Sequence, residues 1–226
     1  MHIEPGIVQG SKMLLSYATA SAALGYTAYL AARTVRQDGA RSLLLRAALA
    51  SALVLCFFEV FPHHAVGVSE VHLILGSTLL LLFGVAPAAM GLASGLLAQG
   101  LFFAPADLPQ YGINVTTLLV PLLATAALAR RIIPANTAYV DIGYRQALRL
   151  SVTYQGGIVS WVAFWAFYGQ GVSAANLYAV ATFGAAYLSV VLLEPVVDLL
   201  VLATAKGLHR LEGSIALEKR LYECAH

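Results

Sequence analysis

The chain has 226 residues, of which 60% are hydrophobic and 11% charged. A soluble domain averages about 45–50% apolar and roughly a quarter charged, and the mean hydropathy here is +0.79. These values exclude a disordered chain, a nucleic-acid binder and an ordinary soluble enzyme. The net charge of +2 is too mild for a polyanionic partner, and two cysteines, Cys56 and Cys224, cannot frame a disulfide scaffold.

The fold class that remains is an all-α polytopic membrane protein. The length holds about seven transmembrane helices of ~20 residues each. Apolar runs lie at roughly 11–32, 42–61, 71–85, 88–104, 112–133, 142–168 and 174–205. The breaks between them carry turn chemistry: Asp38-Gly39, Phe61-Pro62, Ala86-Pro87, Leu108-Pro109, Pro134-Ala135-Asn136 and Gly169-Gln170-Gly171. The third and fourth runs are short for full spans, and only Ala86-Pro87 separates them. They read as a tight helical hairpin or as a re-entrant pair. Small-residue spacings such as Gly91 with Gly95 predict close helix approach.

Charge sets the expected orientation. No Lys or Arg precedes the first apolar run, so no cleavable leader is expected. Twelve of the 13 Lys and Arg flank the first loop, flank the loop between runs five and six, or follow run seven. If seven helices alternate, all twelve face one side, and only Lys12 faces the other. Basic loops stay in the cytoplasm, so the N-terminus is expected outside and the C-terminus inside. The outer face then receives His2, His63, His64 and His72 together with Glu4, Glu59, Glu70 and Asp107. Such a surface attracts and coordinates cations.

The start, Met1-His2-Ile3-Glu4-Pro5-Gly6, is a ready-made chelate. The Met1 amine, the deprotonated backbone nitrogen of His2 and the His2 imidazole can close two fused rings on one metal. A planar nitrogen set suits Ni(II) and Cu(II) and accommodates Co(II). A bulky residue after Met1 disfavours removal of the initiator, and Pro5-Gly6 would fold the tail back. The second segment runs from Phe61 through Pro62, His63 and His64 to Glu70, Val71 and His72. His72 falls in the first turn of run three, at membrane depth, where an ionisable residue is a candidate functional site. Neutral imidazole is the commonest transition-metal ligand. Glu70 is either an orienting partner for an imidazole or an acid at a helix N-terminus. Asn114, at the top of run five, either caps that helix or bonds a segment folded into the bundle. In run seven, Glu194 and Asp198 mark an ion path or a partner-helix contact, or else pair with inner-face arginines.

No phosphate-binding G-x-x-x-x-G-K-[ST] loop, no H-E-x-x-H and no G-x-S-x-G occurs. No ATPase, membrane protease or hydrolase signature is therefore present, and an enzyme is not expected.

Taken together, these residues resemble the CbiM/NikM family, the substrate-binding S components of energy-coupling factor transporters for cobalt and nickel. Met1-His2-Ile3 with Gly6 is similar to the family's Met-His-Ile start. His72 stands eleven positions before Phe83-Gly84, with Pro87 following, similar to the spacing from the family's loop histidine to its F-G-P or L-G-P turn. Gln99 lies fifteen positions before Asn114, similar to the family's Q-A-L-L…G-A-N stretch. The resemblance covers 1–135 well and 140–210 loosely. Pro5 departs from it, standing where the family has an acid, and so does the loop Val68 to His72.

The resemblance implies one transmembrane domain over 1–210 with a metal-binding tail at 1–10, then a cytoplasmic tail over 211–226. It implies that Met1 and His2 supply three ligands and His72 the fourth, with Asn114 bracing the tail. His64 competes with His72 for the fourth place, and His63 and His64 form an alternative collecting site. Co(II) or Ni(II) would be the transported substrate. The implied partners are a transmembrane T component, two cytoplasmic ATPases, with or without a small accessory membrane subunit, and the lipid bilayer of a bacterial cytoplasmic membrane; no nucleic acid is expected. Two other classes share the composition: an autonomous divalent-cation transporter or channel, and a non-transporting membrane scaffold.

Overall fold

The computed structural model of the chain describes residues 3–4 and 6–224. Seven α-helices appear in chain order: α1 (Met13–Asp38), α2 (Ala40–Glu59), α3 (Gly76–Phe83), α4 (Val85–Phe102), α5 (Tyr111–Ile132), α6 (Tyr144–Gln170) and α7 (Ala174–Gly207). Between α2 and α3 a small hairpin pairs β1 (His64–Val66) with β2 (Ser69–Val71). The all-α reading holds. By length and apolarity, Ala40–Glu59, Val85–Phe102, Pro105–Ile132 and Ala174–Gly207 qualify as membrane-crossing helices. The helices α1 and α6 have the length, at 26 and 27 residues, with weaker apolarity.

The third run departs from expectation. Residues 71–85 do not form a helix of that length: β2 ends at Val71, residues 72–75 pass through two three-residue turns closed by Ile74 N–H to His72 O and Gly76 N–H to Ile74 O, and α3 has eight residues. At 1.5 Å per residue that is about 12 Å, well short of the ~30 Å apolar core of a bilayer. The break before α4 also moves. It falls at Gly84, whose φ of 83° favours glycine, and Pro87 sits inside the first turn of α4, where a missing N–H costs little.

Polar groups fix where α3 begins. Its first turn has N–H groups without helical partners. The carboxylate of Glu194 accepts the Ser77 N–H at 3.0 Å. Asp198 accepts the hydroxyls of Ser77, at 2.7 Å, and of Thr78. Both acids are fully buried. They cap α3, and among the described residues neither pairs with an arginine, so that reading is replaced.

Close packing fills the rest of the bundle. A Cβ on Gly91 would stand 2.4 Å from the Ala50 Cβ, and one on Gly95 2.6 Å from Val54 Cγ1. The close approach of α4 to α2 that the small-residue spacing predicts is therefore present. At the start of α7 the Ser173 hydroxyl accepts the Asn176 N–H at 3.2 Å and caps the helix.

At the far end of α3 from its cap, the tail after α7 folds back on the bundle. Glu218 donates its N–H to the Leu82 carbonyl at 2.8 Å, and Arg220 reaches the carbonyls of Ile133 and Pro134. Arg46, fully buried in α2, pairs with Asp38 and, at 2.8 Å, with Glu218, and donates to the Phe83 carbonyl at 3.2 Å. Lys219 reaches Asp38 at 2.9 Å. A buried cation that loses its partners is costly, and so are the partners left behind.

Two predictions follow from this cluster. Arg46→Ala leaves two carboxylates together and should loosen the docked tail by about 3 kcal/mol, read as faster hydrogen exchange across 214–222; unchanged protection would refute it. Burial lifts the Glu218 carboxyl above its ordinary value of 4.5, against the pull of Arg46. The docked tail then holds that proton more tightly than a free tail does, so docking weakens as pH rises from 4.5 through the raised value. Glu218→Gln should flatten this dependence, measured by exchange at a series of pH values.

Candidate metal centre

The hairpin aligns the histidines. Its register pairs His64 with Val71, Ala65 with Glu70 and Val66 with Ser69. Side chains alternate along a strand, and residues directly opposite point to the same face. His64 and Val71 therefore share one face. His63, Ala65, Glu70 and His72 share the other.

The contacts agree with this pattern. The His72 ring is 1% exposed and lies parallel to the His63 ring, with centroids 4.9 Å apart and 10° between planes. Phe58 meets the His72 ring edge-on at 5.0 Å. Glu70 Oε2 stands 3.6 Å from His72 Nε2. That is too long for a hydrogen bond but close enough for its charge to be felt. His64 is exposed and lines an apolar groove with Leu73 and Ala186 of α7. The structure thus brings His63 and Glu70 to His72 and turns His64 the other way. His72 opens the turn segment after β2, not a helical turn as expected, and Glu70 lies in β2, not at a helix N-terminus.

The N-terminal segment adds to the hairpin. Ile3 forms an antiparallel bridge with Ser69, and the Glu4 N–H donates to the Val68 carbonyl at 3.3 Å. The Ile3 N–H donates to Asn114 Oδ1 at 3.0 Å, and the Ile3 side chain is 2% exposed. Asn114, 2% exposed in the first turn of α5, binds the tail. Of its two expected roles, this is the one observed.

Further along, the tail lies on α6. A Cβ on Gly169 would fall 2.1 Å from the Ile7 carbonyl oxygen, so only glycine admits the tail there. Lys12 donates to the Gly169 carbonyl at 2.8 Å. Met1 and His2, on which the expected chelate rests, lie outside the described residues. Among the described residues no group of three or more His, Cys, Asp or Glu is placed to hold a metal by itself.

Sequence reasoning missed Ser69, Ile3 and Gly169 as parts of the tail seat. A two-residue turn with glycine first, Gly67-Val68, between short apolar stretches is the hairpin signal that was available.

A model of the CbiM family, described as the cobalt uptake substrate-specific transmembrane region, matches residues 2–210. The chain belongs to the CbiM family. A solved structure described as the crystal structure of a transition metal transporter is similar in fold, with a TM-score of 0.69. It is 17% identical, and the match covers 93% of this chain and 94% of the other. No curated protein matches the chain. As a CbiM-family member with this fold, the chain is an all-α membrane protein of a cobalt-uptake family.

Removing the tail's anchor should show in metal affinity. Asn114→Ala takes away the acceptor for the Ile3 N–H, while Asn114→Asp keeps it. Loss of a supporting hydrogen bond at a metal site typically costs about 10–100-fold. Cobalt or nickel titration is expected to show that loss in Asn114→Ala and near-normal binding in Asn114→Asp. Equal binding by Asn114→Ala and the unaltered protein would detach the tail anchor from the site.

Proposed function

We propose that this CbiM-family chain captures Co(II) or Ni(II) at the outer face of a bacterial cytoplasmic membrane, as the substrate-binding component of an energy-coupling factor transporter. In this reading the six long helices traverse the bilayer, the hairpin, the turn segment and α3 together make a seventh passage, and the N-terminus lies outside. The observation that carries the proposal is the bond from the Ile3 N–H to Asn114 at 3.0 Å, with the bridge from Ile3 to Ser69. The residue directly after His2 is held one strand away from the segment that bears His72.

The chemistry is that of four nitrogens. The Met1 amine, the His2 amide nitrogen and the His2 ring supply three, and the His72 ring supplies the fourth. Planar nitrogen ligation favours Ni(II) and accommodates Co(II) over harder cations. Deprotonating an amide nitrogen demands a strong Lewis acid, which adds to selectivity. His72 takes the fourth place rather than His64, because the register puts His64 on the opposite face of the hairpin. Glu70 orients the His72 ring and balances the metal's charge, as partners of metal-binding imidazoles do. His63, exposed and stacked on His72, is placed to meet an incoming ion first.

Delivery across the membrane belongs to the assembly. A transmembrane T component and two cytoplasmic ATPases supply the work, and the whole component tilts to release its ion inward. The chain's own contribution is capture.

The test uses protein with a native N-terminus and a C-terminal tag, titrated separately with Ni(II) and Co(II). Metal content and the visible d–d spectrum are read together for the unaltered protein, His2→Ala, His72→Ala and a one-residue N-terminal extension. One tightly bound ion with a planar-type spectrum, lost in all three variants, is the expected result. Binding that survives the extension and His2→Ala would move the site to His63 and His72 and overturn the tail chelate.

A further inference from the structure

The buried acids of α7 do more than close a helix end. Glu194 and Asp198 lie one helical turn apart, and both are fully buried. Each of their four carboxylate oxygens accepts a hydrogen bond. Ser77 N and Gln155 Nε2 donate to the two oxygens of Glu194, each at 3.0 Å. The hydroxyls of Ser77 and Thr78 donate to the two of Asp198. Among the described residues no Lys, Arg or His lies within ion-pair distance of either acid. Two ionised carboxylates so close in an apolar bundle repel each other strongly. The N-terminus of α3 offers roughly half a positive charge. One compensating charge is missing.

A second observation points to the same place. Gln155 is fully buried, and its amide is oriented by two bonds from Nε2, to Glu194 and to the Ile74 carbonyl at 2.7 Å. Its Oε1 has no partner. The Tyr154 hydroxyl, also fully buried, has none either. The Tyr154 ring presses on the start of α3: a Cβ on Gly76 would stand 2.2 Å from its Cζ. The two unpaired oxygens thus belong to residues packed against the seat of the acid pair, Gln155 through its bond to Glu194 and Tyr154 through its contact with Gly76. A hard metal cation would need about six oxygen ligands and would have to crowd past the four donor hydrogens already aimed at the carboxylates, each of which leaves its oxygen one lone pair. A proton needs a single oxygen.

We propose that Glu194 and Asp198 form a proton-binding site that holds one proton between them at neutral pH. The titratable groups that face it are Tyr154 from α6 and Tyr187 from α7, the latter lying beside the His72 backbone. From α3 only Ser77 and Thr78 face it, while Arg46 binds the far end of that helix at Phe83. The site is linked to the turn segment before α3 through Gln155, which holds Glu194 with one N–H and the carbonyl of Ile74, two residues after His72, with the other. Ionising the second acid would pull on both bonds. The proposal stands independently of which residues bind the metal.

Infrared spectroscopy of the full chain in lipid nanodiscs tests this directly. A carboxylic-acid C=O band at neutral pH is expected in the unaltered protein, bleaching on titration to alkaline pH. The band should disappear in Glu194→Gln and in Asp198→Asn, because a single capped carboxylate can remain ionised. Sodium should leave it unchanged. Absence of the band in the unaltered protein would overturn the proposal, and so would its persistence in both variants. Bleaching by sodium at constant pH would overturn it in favour of a bound metal cation. If one variant fails to fold, the other and the pH titration of the unaltered protein still decide.

Discussion

An eight-residue helix that starts inside a membrane-embedded bundle exposes N–H groups that only the protein can satisfy. The chain meets this demand with two acids from a helix more than a hundred residues later. Glu194 takes the Ser77 N–H, and Asp198 takes the hydroxyls of Ser77 and Thr78. With the start of α3 held there, the residues before it have no helix to continue. They pass through two tight turns, at Leu73 and Leu75, leave His72 buried, and join the hairpin. The placement of the buried imidazole therefore depends on a cap made by α7.

The same demand shapes the tail. A backbone strand folded into an apolar bundle must find partners for its N–H and C=O groups. Ile3 finds Asn114 and Ser69, and Glu4 finds Val68. The hairpin is thus the surface against which Ile3 and Glu4 pair, and its alternation decides which face each histidine takes. Two adjacent histidines, His63 and His64, end on opposite faces because strand side chains alternate. One reaches His72 and the other lines a groove against α7.

Composition and turn residues made most of the fold legible. Six of the seven apolar runs became long helices near their expected limits, because lipid-compatible helices need little beyond length and apolarity. The run at 71–85 misled for a physical reason. Its apolar residues have no period that distinguishes a buried helix from a buried extended segment. The element that decides, the acid pair of α7, lies too far away in sequence for a local reading to include it. Arg46 misled in a similar way. It reads as one more cytoplasmic-face cation, yet it is the centre of a buried ion cluster that depends on Glu218, 172 residues away. The bond from the tail to Asn114 matches one of the two roles read for that residue, whereas its donor, Ile3, needed the hairpin register.

The two ends of α3 are held by groups of opposite charge. At its start, anionic side chains take N–H and hydroxyl hydrogens; at its end, the Arg46 guanidinium takes the Phe83 carbonyl, and the tail N–H of Glu218 takes that of Leu82. Both arrangements follow the direction of the helix dipole. A single turn-length shift at one end would break bonds at the other, since eight residues have no slack to absorb it. The segment bearing His72 and the tail that follows α7 are therefore joined by a rod of about 12 Å. A motion that undocks the tail withdraws the Glu218 N–H from the Leu82 carbonyl and the Glu218 carboxylate from Arg46, the group that holds the Phe83 carbonyl, so the end of α3 loses one partner and loosens another.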